Sequence, residues 1–158
     1  MRILITGIPG VGKSEIAREL SKQIKYKIIN DKKYSQKHKL GQMESKEYNV
    51  DIKKLNEQFS KDIKQQDNVI FEGHLWCELS KANLKFFDKV FILTVPTKIL
   101  RERLEKRKYT LIKIEENIFC KENKYIENQF DKKKQKYIMI NTNNNLKENI
   151  KKLKGKLW

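Results

Sequence analysis

The stretch at residues 7–14, GIPGVGKS, constrains this chain more than any other feature, because it fits the pattern G-x-x-x-x-G-K-[ST] at every fixed position. In this pattern, successive backbone N–H groups curl around a phosphate, and side chains on the glycines would obstruct them. The apolar run at 2–6 is typical of a buried strand, and Ile16, Ala17 and Leu20 share one helical face after the loop. A chance glycine-rich turn would not need this context. The stretch therefore predicts a phosphate-binding loop at a helix N-terminus, where anions are favoured.

The residue types within the loop predict separate roles. Lys13 would reach the β- and γ-phosphates, and the hydroxyl of Ser14 would ligate Mg²⁺. The residues expected to contact the nucleotide are Gly10, Val11, Gly12, Lys13, Ser14 and Glu15.

The net charge of +16 over 158 residues favours contact with polyanions. Nearly all of the cations are lysines, however, and they are scattered through the chain beside many isoleucines and asparagines. Two interpretations stay open: solvated lysines without a binding role, and a functional anionic partner such as rRNA or a ribosomal particle. The cluster Lys132, Lys133 and Lys134 shows the same ambiguity, as an exposed turn or an RNA contact.

The length predicts one domain with a substantial core. Cys77 and Cys120 are the only cysteines and have no metal-ligand spacing, which indicates a reducing, intracellular setting. The longest apolar runs are too short for a signal peptide or a membrane span. We therefore expect a cytoplasmic protein, or a nuclear one in a eukaryote, and a monomer.

Five short apolar runs predict strands, at residues 2–6, 26–30, 68–74, 90–95 and 137–141. Helical patterns separate them. Asp51 would cap a helix carrying Leu55 and Phe59, and Thr97 would cap the next one. One helix is expected from 111 to 130 with Ile114, Ile118, Tyr125 and Ile126 buried, and a closing helix follows residue 145. This alternation predicts an α/β fold of three layers, a five-stranded parallel sheet with helices on both faces.

The third expected strand ends in Glu72, Gly73 and His74. In an open parallel sheet, ligands bind beyond the carboxyl ends of the strands, so Glu72 and His74 should emerge beside the loop. There Glu72 could hold Mg²⁺ and His74 could orient an acceptor or a water. The alternatives are a helix-capping acid and a histidine whose hydrogen bonds are purely structural.

Arginine is rare in this chain, yet Arg101, Arg103 and Arg107 lie close together. Arg103 and Arg107 are four residues apart on the expected helix, so they could form a comb for a triphosphate. Pairing with Glu102 or Glu105 on the surface is the alternative. The polar stretch at 31–49 could be an acceptor-binding flap or an ordinary solvated connection.

The chain resembles the adenylate kinase isoenzyme 6 family of small archaeal and nuclear nucleoside monophosphate kinases. The resemblance rests on GIPGVGKS at 7–14, YNVD at 48–51, VIFEGH at 69–74, LRERLEKR at 100–107, Tyr109-Thr110 and Glu116-Asn117. It implies a P-loop NTPase fold with a short lid, a single kinase domain, and phosphoryl transfer from Mg·ATP to AMP or a related monophosphate, with ATP hydrolysis. It also implies a role in small-subunit ribosome maturation and rRNA processing, through transient contact with a ribosomal protein and pre-rRNA.

The resemblance also implies positions for the site residues. Glu72 and His74 would form the strand-end metal and water site, and Arg107 would contact ATP from the lid. The flap would span about 30–53 and the lid about 106–116. With Lys13, the expected catalytic residues are Glu72, His74, Arg103 and Arg107, and the expected metal ligands are Ser14 and Glu72.

Two departures from the family pattern concern the acceptor side. Lys108 replaces the usual glycine after the lid arginine, which could stiffen the hinge. No arginine occurs between Arg18 and Arg101, so lysines such as Lys37 or Lys39 would have to hold the acceptor phosphate as point charges. An ATP-switched assembly factor with little kinase activity is therefore the alternative function. A basic RNA-binding protein with a vestigial loop is disfavoured, because Lys13, Ser14 and Glu72 are intact.

Overall fold

The computed structural model describes residues 1–45 and 47–158. The strands are β1 Arg2–Thr6, β2 Lys27–Asn30, β3 Gly41–Glu44, β4 Glu47–Val50, β5 Val69–Glu72, β6 Lys89–Thr94 and β7 Ile138–Asn141. Five of them form one parallel sheet in the order β2-β5-β1-β6-β7, while β3 and β4 form an antiparallel hairpin.

Eight α-helices accompany these strands within the described residues. They are α1 Lys13–Ile24, α2 Asp31–Lys37, α3 Ile52–Asp62, α4 Lys81–Leu84, α5 Thr97–Lys106, α6 Leu111–Glu122, α7 Tyr125–Lys132 and α8 Leu146–Lys154. Short 3₁₀ helices cover Ile63–Gln65 and Leu75–Glu78. Right-handed crossovers place α1 on one face of the sheet, and α3 with the helices between β5 and β7 on the other. The terminal helix α8 packs against α1.

The sheet is buried on both faces, as parallel sheets require. Ile3, Leu4 and Ile5 of β1 are fully inaccessible at the centre of the core. On the α3 face, Phe59 packs edge-on against Phe71 of β5, with ring centroids 5.4 Å apart. This core fixes the directions of the five strands, and therefore places all of their carboxyl ends along one edge.

The predicted fold class is confirmed: the sheet has five parallel strands with helices on both faces. The cap at Asp51 is also confirmed, since its side chain accepts a hydrogen bond from the N–H of Lys54 at 3.1 Å. The stretch at 31–49 contains α2 and the β3–β4 hairpin, whose short polar elements gave no periodic signal. Lys46 of the expected flap lies outside the described residues.

Three local predictions are wrong. Thr97 is the first helical residue rather than the cap, and its hydroxyl instead bonds with Lys121 and Glu122. The single helix expected over 111–130 is divided into α6 and α7 by Lys124, which adopts a left-handed conformation with φ 50°. After this break Tyr125 is directed outward, with 43% of its surface exposed, although Ile126 is buried as expected.

No helix among residues 1–45 and 47–158 has both the length and the apolar composition needed to cross a membrane.

Candidate active site

A cleft of about 1100 Å³ lies at the edge where the parallel strands end. It brings together the loop after β1, the ends of β2 and β5, the β4 strand of the hairpin, and the start of α6. The lining residues are Pro9, Gly10, Gly12, Lys13, Ser14, Glu15, Arg18, Asn30, Asp31, Lys32, Glu47, Tyr48, Asn49, Val50, Glu72, Gly73, His74, Leu75, Arg107, Tyr109, Lys113, Glu116 and Asn117.

Hydrogen bonds from Thr142 and Arg103 to backbone carbonyls fix the conformation of the loop at 7–14. Gly12, the residue before α1, has φ 95°, a left-handed conformation that side chains disfavour. The carbonyl of Val11 accepts a hydrogen bond from the Thr142 hydroxyl at 2.7 Å, and the carbonyl of Gly10 accepts one from Arg103 at 3.3 Å. These carbonyls therefore face away from the cleft, toward β7 and α5, and the N-terminus of α1 is directed into it.

Lys13 is oriented by the loop itself. Its ammonium group donates a hydrogen bond to the carbonyl of Ile8 at 2.9 Å. Burial lowers the pKa of Lys13 to about 8, although the nearby Glu72 carboxylate opposes this effect. A bound phosphate would supply the missing negative charge and favour the protonated amine. The position suits electrostatic contact with an anion.

Ser14 and Glu72 form a pair of oxygen ligands at the floor of the cleft. The Ser14 hydroxyl donates to Glu72 Oε1 at 2.8 Å, and only 4% of Glu72 is exposed. Hydroxyl and carboxylate oxygens are the donors that Mg²⁺ prefers, and this ion usually adds waters and substrate phosphates to one or two protein ligands. Among the described residues, no cluster of three or more His, Cys, Asp or Glu could hold a metal unaided. The two residues thus fit Mg²⁺ bound together with a nucleotide.

The loop after β5 places His74 at the rim of the cleft. Its ring is half-exposed, and Nδ1 lies 3.8 Å from Oδ2 of the buried Asp31. Partial burial lowers the pKa of His74 despite this neighbouring carboxylate. The neutral imidazole can therefore accept a hydrogen bond from a water at neutral pH.

Arg107 and Tyr109 line the cleft from the segment that joins α5 to α6. Lys113 of α6 also lines it and forms an ion pair with Glu47 of β4. This contact links the hairpin to α6 across the mouth of the cleft.

The comb expected from Arg103 and Arg107 does not form, and Arg101 also lies outside the cleft. Arg101 pairs with Glu115 on the surface, at 2.6 Å. Arg103 is not among the lining residues, because its guanidinium donates to the carbonyls of Gly10 and Thr142 behind the loop. Of the three arginines, only Arg107 faces the cleft. Among the expected nucleotide contacts, Val11 is also fully buried and outside the lining.

The expected acceptor lysines lie elsewhere. Lys37 lines a second groove, beside β2, and Lys39 is exposed and lines neither groove. Lys37 is the last residue of α2, and Lys39 follows that helix. The cations that do face the cleft on this side are Arg18 of α1 and Lys32 of α2.

Two lining residues, Asn30 and Asp31, have contacts that the sequence interpretation missed. Asn30 Nδ2 donates to Glu72 Oε2 at 2.7 Å, and Asp31 Oδ2 accepts from the N–H of Leu75 at 2.7 Å. Burial raises the pKa of Asp31, which the facing imidazole of His74 counteracts. The strand-end rule that selected Glu72 could have selected both residues, since Asn30 is the last residue of β2 and Asp31 directly follows it.

Comparison with known proteins supplies independent evidence of the family to which the chain belongs. Residues 3–127 match the profile of a family described as an AAA domain. A candidate adenylate kinase of Thermococcus kodakarensis is 36% identical over 118 residues, which cover 75% of this chain and 63% of that protein. This chain therefore spans less than two thirds of the length of that archaeal relative.

A eukaryotic relative is covered more fully. The adenylate kinase isoenzyme 6 homolog of Plasmodium falciparum is 32% identical over 139 residues, covering 75% of this chain and 72% of that protein. The fold is also similar to a solved structure of deoxyadenosine kinase from M. mycoides, with a TM-score of 0.63, 23% identity, and 99% and 98% of the two chains covered.

Proposed function

The chain belongs to the adenylate kinase isoenzyme 6 family, and from this membership we propose that it transfers the γ-phosphate of Mg·ATP to AMP or a related nucleoside monophosphate. We include ATP hydrolysis as a second activity of the same site. The residues proposed to act are Lys13, Ser14, Glu72, His74 and Arg107.

One observation carries the proposal: Lys13, the Ser14–Glu72 pair and Arg107 face the same cleft as the polar residues of α2 and β4. A triphosphate and a second nucleotide both need space there, and about 1100 Å³ is sufficient for extended ligands of this kind. Residues from the expected flap, about 30–53, and the expected lid, about 106–116, both line the cleft. A bisubstrate reaction is therefore compatible with its geometry.

The chemistry requires positioning and charge neutralisation more than a base. The acceptor is a phosphate oxygen already largely deprotonated at neutral pH, so no strong general base is needed. Lys13 and Arg107 would stabilise the negative charge of the phosphates, with the N–H groups of the loop directed at them. Ser14 and Glu72 would hold Mg²⁺, which when bound neutralises phosphate charge.

Hydrolysis makes a different demand, because a water must be oriented toward the phosphate. His74 is the candidate for this step, since its half-exposed ring lies at the rim and its lowered pKa leaves a nitrogen free to accept a hydrogen bond. Arg103 has a supporting role in this proposal, because it braces the carbonyl of Gly10.

The alternative is an ATP-switched assembly factor for the small ribosomal subunit, with a ribosomal protein and pre-rRNA as partners. The absence of arginine from residues 30–53 favours it, because lysine binds phosphate only as a point charge. The net charge of +16 suits an RNA-rich environment. In this case ATP binding and hydrolysis would set the affinity for the partner.

Turnover of ATP with Mg²⁺, in the presence and absence of AMP, separates the two functions. Chromatography counts ADP and phosphate independently. For the kinase we expect two ADP per ATP consumed when AMP is present, because both nucleotides end as diphosphates. Slow hydrolysis that AMP does not change would contradict the kinase proposal and favour the assembly factor.

Lys13→Ala tests whether the cleft is the active site, because it removes the cation of the loop. Loss of a preorganised charge contact of this kind costs about 100-fold or more in rate. Both kinase and hydrolase activities should therefore fall by about that factor. Near-normal turnover in this variant would exclude the cleft as the active site.

A further inference from the structure

Asn30 contacts two different parts of the cleft with the two ends of one amide group. Its Nδ2 donates a hydrogen bond to Glu72 Oε2 at 2.7 Å. Its Oδ1 accepts one from the N–H of Lys33 at 3.1 Å, which caps the first turn of α2. A single side chain thus connects the end of β5 to the first helix of the proposed flap.

The contact to Glu72 completes the environment of that carboxylate. Oε1 accepts from the Ser14 hydroxyl and Oε2 accepts from Asn30, so each oxygen has a fixed direction. Glu72 is buried, and a buried carboxylate oxygen without a donor is costly. Without the amide, the carboxylate would be free to rotate about its own bond toward water or Lys13.

An amide is the side chain that can make both contacts. A carboxylate at this position could cap α2 but could not donate to Glu72. A serine could also cap α2, because its hydroxyl accepts as well as donates, but it is too short to span the distance to Glu72 as well.

We propose that Asn30 is a positioning residue, which holds Glu72 in the orientation that binds Mg²⁺ and couples this site to the start of α2. The inference rests on the proposed Mg·ATP site, but it does not depend on which acceptor is phosphorylated. Residues that orient metal ligands commonly change metal affinity by about 10- to 100-fold when they are replaced.

The test is ATP binding by isothermal titration calorimetry, measured in MgCl₂ and in EDTA. In the wild type, Mg²⁺ should strengthen ATP binding. In Asn30→Ser, which keeps a capping oxygen, we expect this Mg²⁺-dependent gain to fall by about 10-fold. The affinity measured in EDTA should stay within about twofold, because the loop is untouched.

Asn145→Ser is the matched control. Asn145 caps α8 by accepting from the N–H of Glu148 at 3.0 Å, so the same substitution is made at an equivalent helix cap outside the cleft. It should leave the Mg²⁺-dependent gain unchanged. Thermal unfolding of both variants shows whether each remains folded.

Asn30→Ala distinguishes the contribution of the helix cap from that of the hydrogen bond to Glu72. It removes the cap as well as the donor, so hydrogen exchange at the first turn of α2 should accelerate in this variant and not in Asn30→Ser. Both variants should show the same fall in the Mg²⁺-dependent gain.

The outcomes are distinct for the two proposals. If the wild type gains from Mg²⁺ and folded Asn30→Ser gains equally, Asn30 has no positioning role. If the wild type itself binds ATP equally in MgCl₂ and EDTA, the metal site of the proposed function fails and the inference fails with it. A kinase assay without AMP-dependent ADP would contradict the proposed kinase activity, while the calorimetric test of Asn30 would still decide the inference on its own.

Discussion

At the scale of single residues, His74 and Asp31 illustrate how one side chain can modify another. Asp31 is buried, and its carboxylate accepts hydrogen bonds from the N–H groups of Lys32 and Leu75, which fix its position. His74 faces it at 3.8 Å while remaining half-exposed to the cleft. One edge of the imidazole therefore faces a fixed carboxylate, and the rest of the ring remains accessible from the cleft.

This arrangement predicts an unequal effect of His74→Gln on the two reactions. ATP hydrolysis should fall by about 100-fold, because a positioned acid–base group is lost. Phosphorylation of AMP should fall much less, since its acceptor oxygen needs no base. Single-turnover assays with and without AMP measure both rates.

Equal losses in the two reactions would remove the special role of His74. The Lys13→Ala variant is the reference, because it should impair both reactions alike.

At the scale of elements, the turn between β5 and the 3₁₀ helix Leu75–Glu78 fits closely against α2. Gly73 has φ 146°, a region that L side chains rarely adopt. A Cβ at this position would lie 2.0 Å from Cγ of Asp31. The turn can follow this path only because residue 73 has no side chain, and the path is what directs His74 to the rim.

Gly73→Ala should therefore destabilise the protein by about 2 kcal/mol or more, through backbone strain and displacement of Asp31. Urea unfolding monitored by circular dichroism measures the free energy of unfolding.

Gly155→Ala is the control for this substitution. A Cβ at residue 155 would make ordinary contacts, with the carbonyl oxygens of Lys151 and Lys152 at 3.5 and 3.7 Å. We expect a change within about 1 kcal/mol, in either direction. If both variants lose the same stability, the fit between Gly73 and Asp31 is not special.

At the scale of the whole molecule, the cleft couples ligand binding to global stability. Its walls come from the loop after β1, the ends of β2 and β5, the β3–β4 hairpin and α6. Unfolding would separate these parts, so a ligand bound in the cleft stabilises the entire chain by mass action.

Mg·ATP at 100 times its Kd should add about 2.7 kcal/mol of stability. For a domain of this size, that corresponds to an increase of about 5–11 °C in Tm. Differential scanning calorimetry measures the shift, and EDTA should reduce it by removing Mg²⁺.

Lys13→Ala should show little increase in Tm with Mg·ATP. An equal increase in this variant would place the nucleotide outside the cleft.

The accuracy of the sequence predictions differed between these scales. The five strands of the parallel sheet and the strand–loop–helix arrangement around residues 7–14 were predicted correctly, because periodicity and motif spacing are local properties. The break at Lys124 and the outward direction of Tyr125 were not, since the polar residues around 121–124 are compatible with both a continuous and a divided helix. The β3–β4 hairpin has mostly polar, exposed residues and so produced no signal.

The sequence by itself determined the fold class, the loop between β1 and α1, and the placement of Glu72 and His74 at a strand end. Each follows from residues near one another in the chain and from the rule that parallel strands end at one edge. Only the tertiary structure decided that Asn30 reaches Glu72, that Arg103 supports the loop from behind, and that Lys37 lies in a separate groove. Those contacts depend on how strands and helices are turned relative to one another, and core packing sets that after the local patterns have formed.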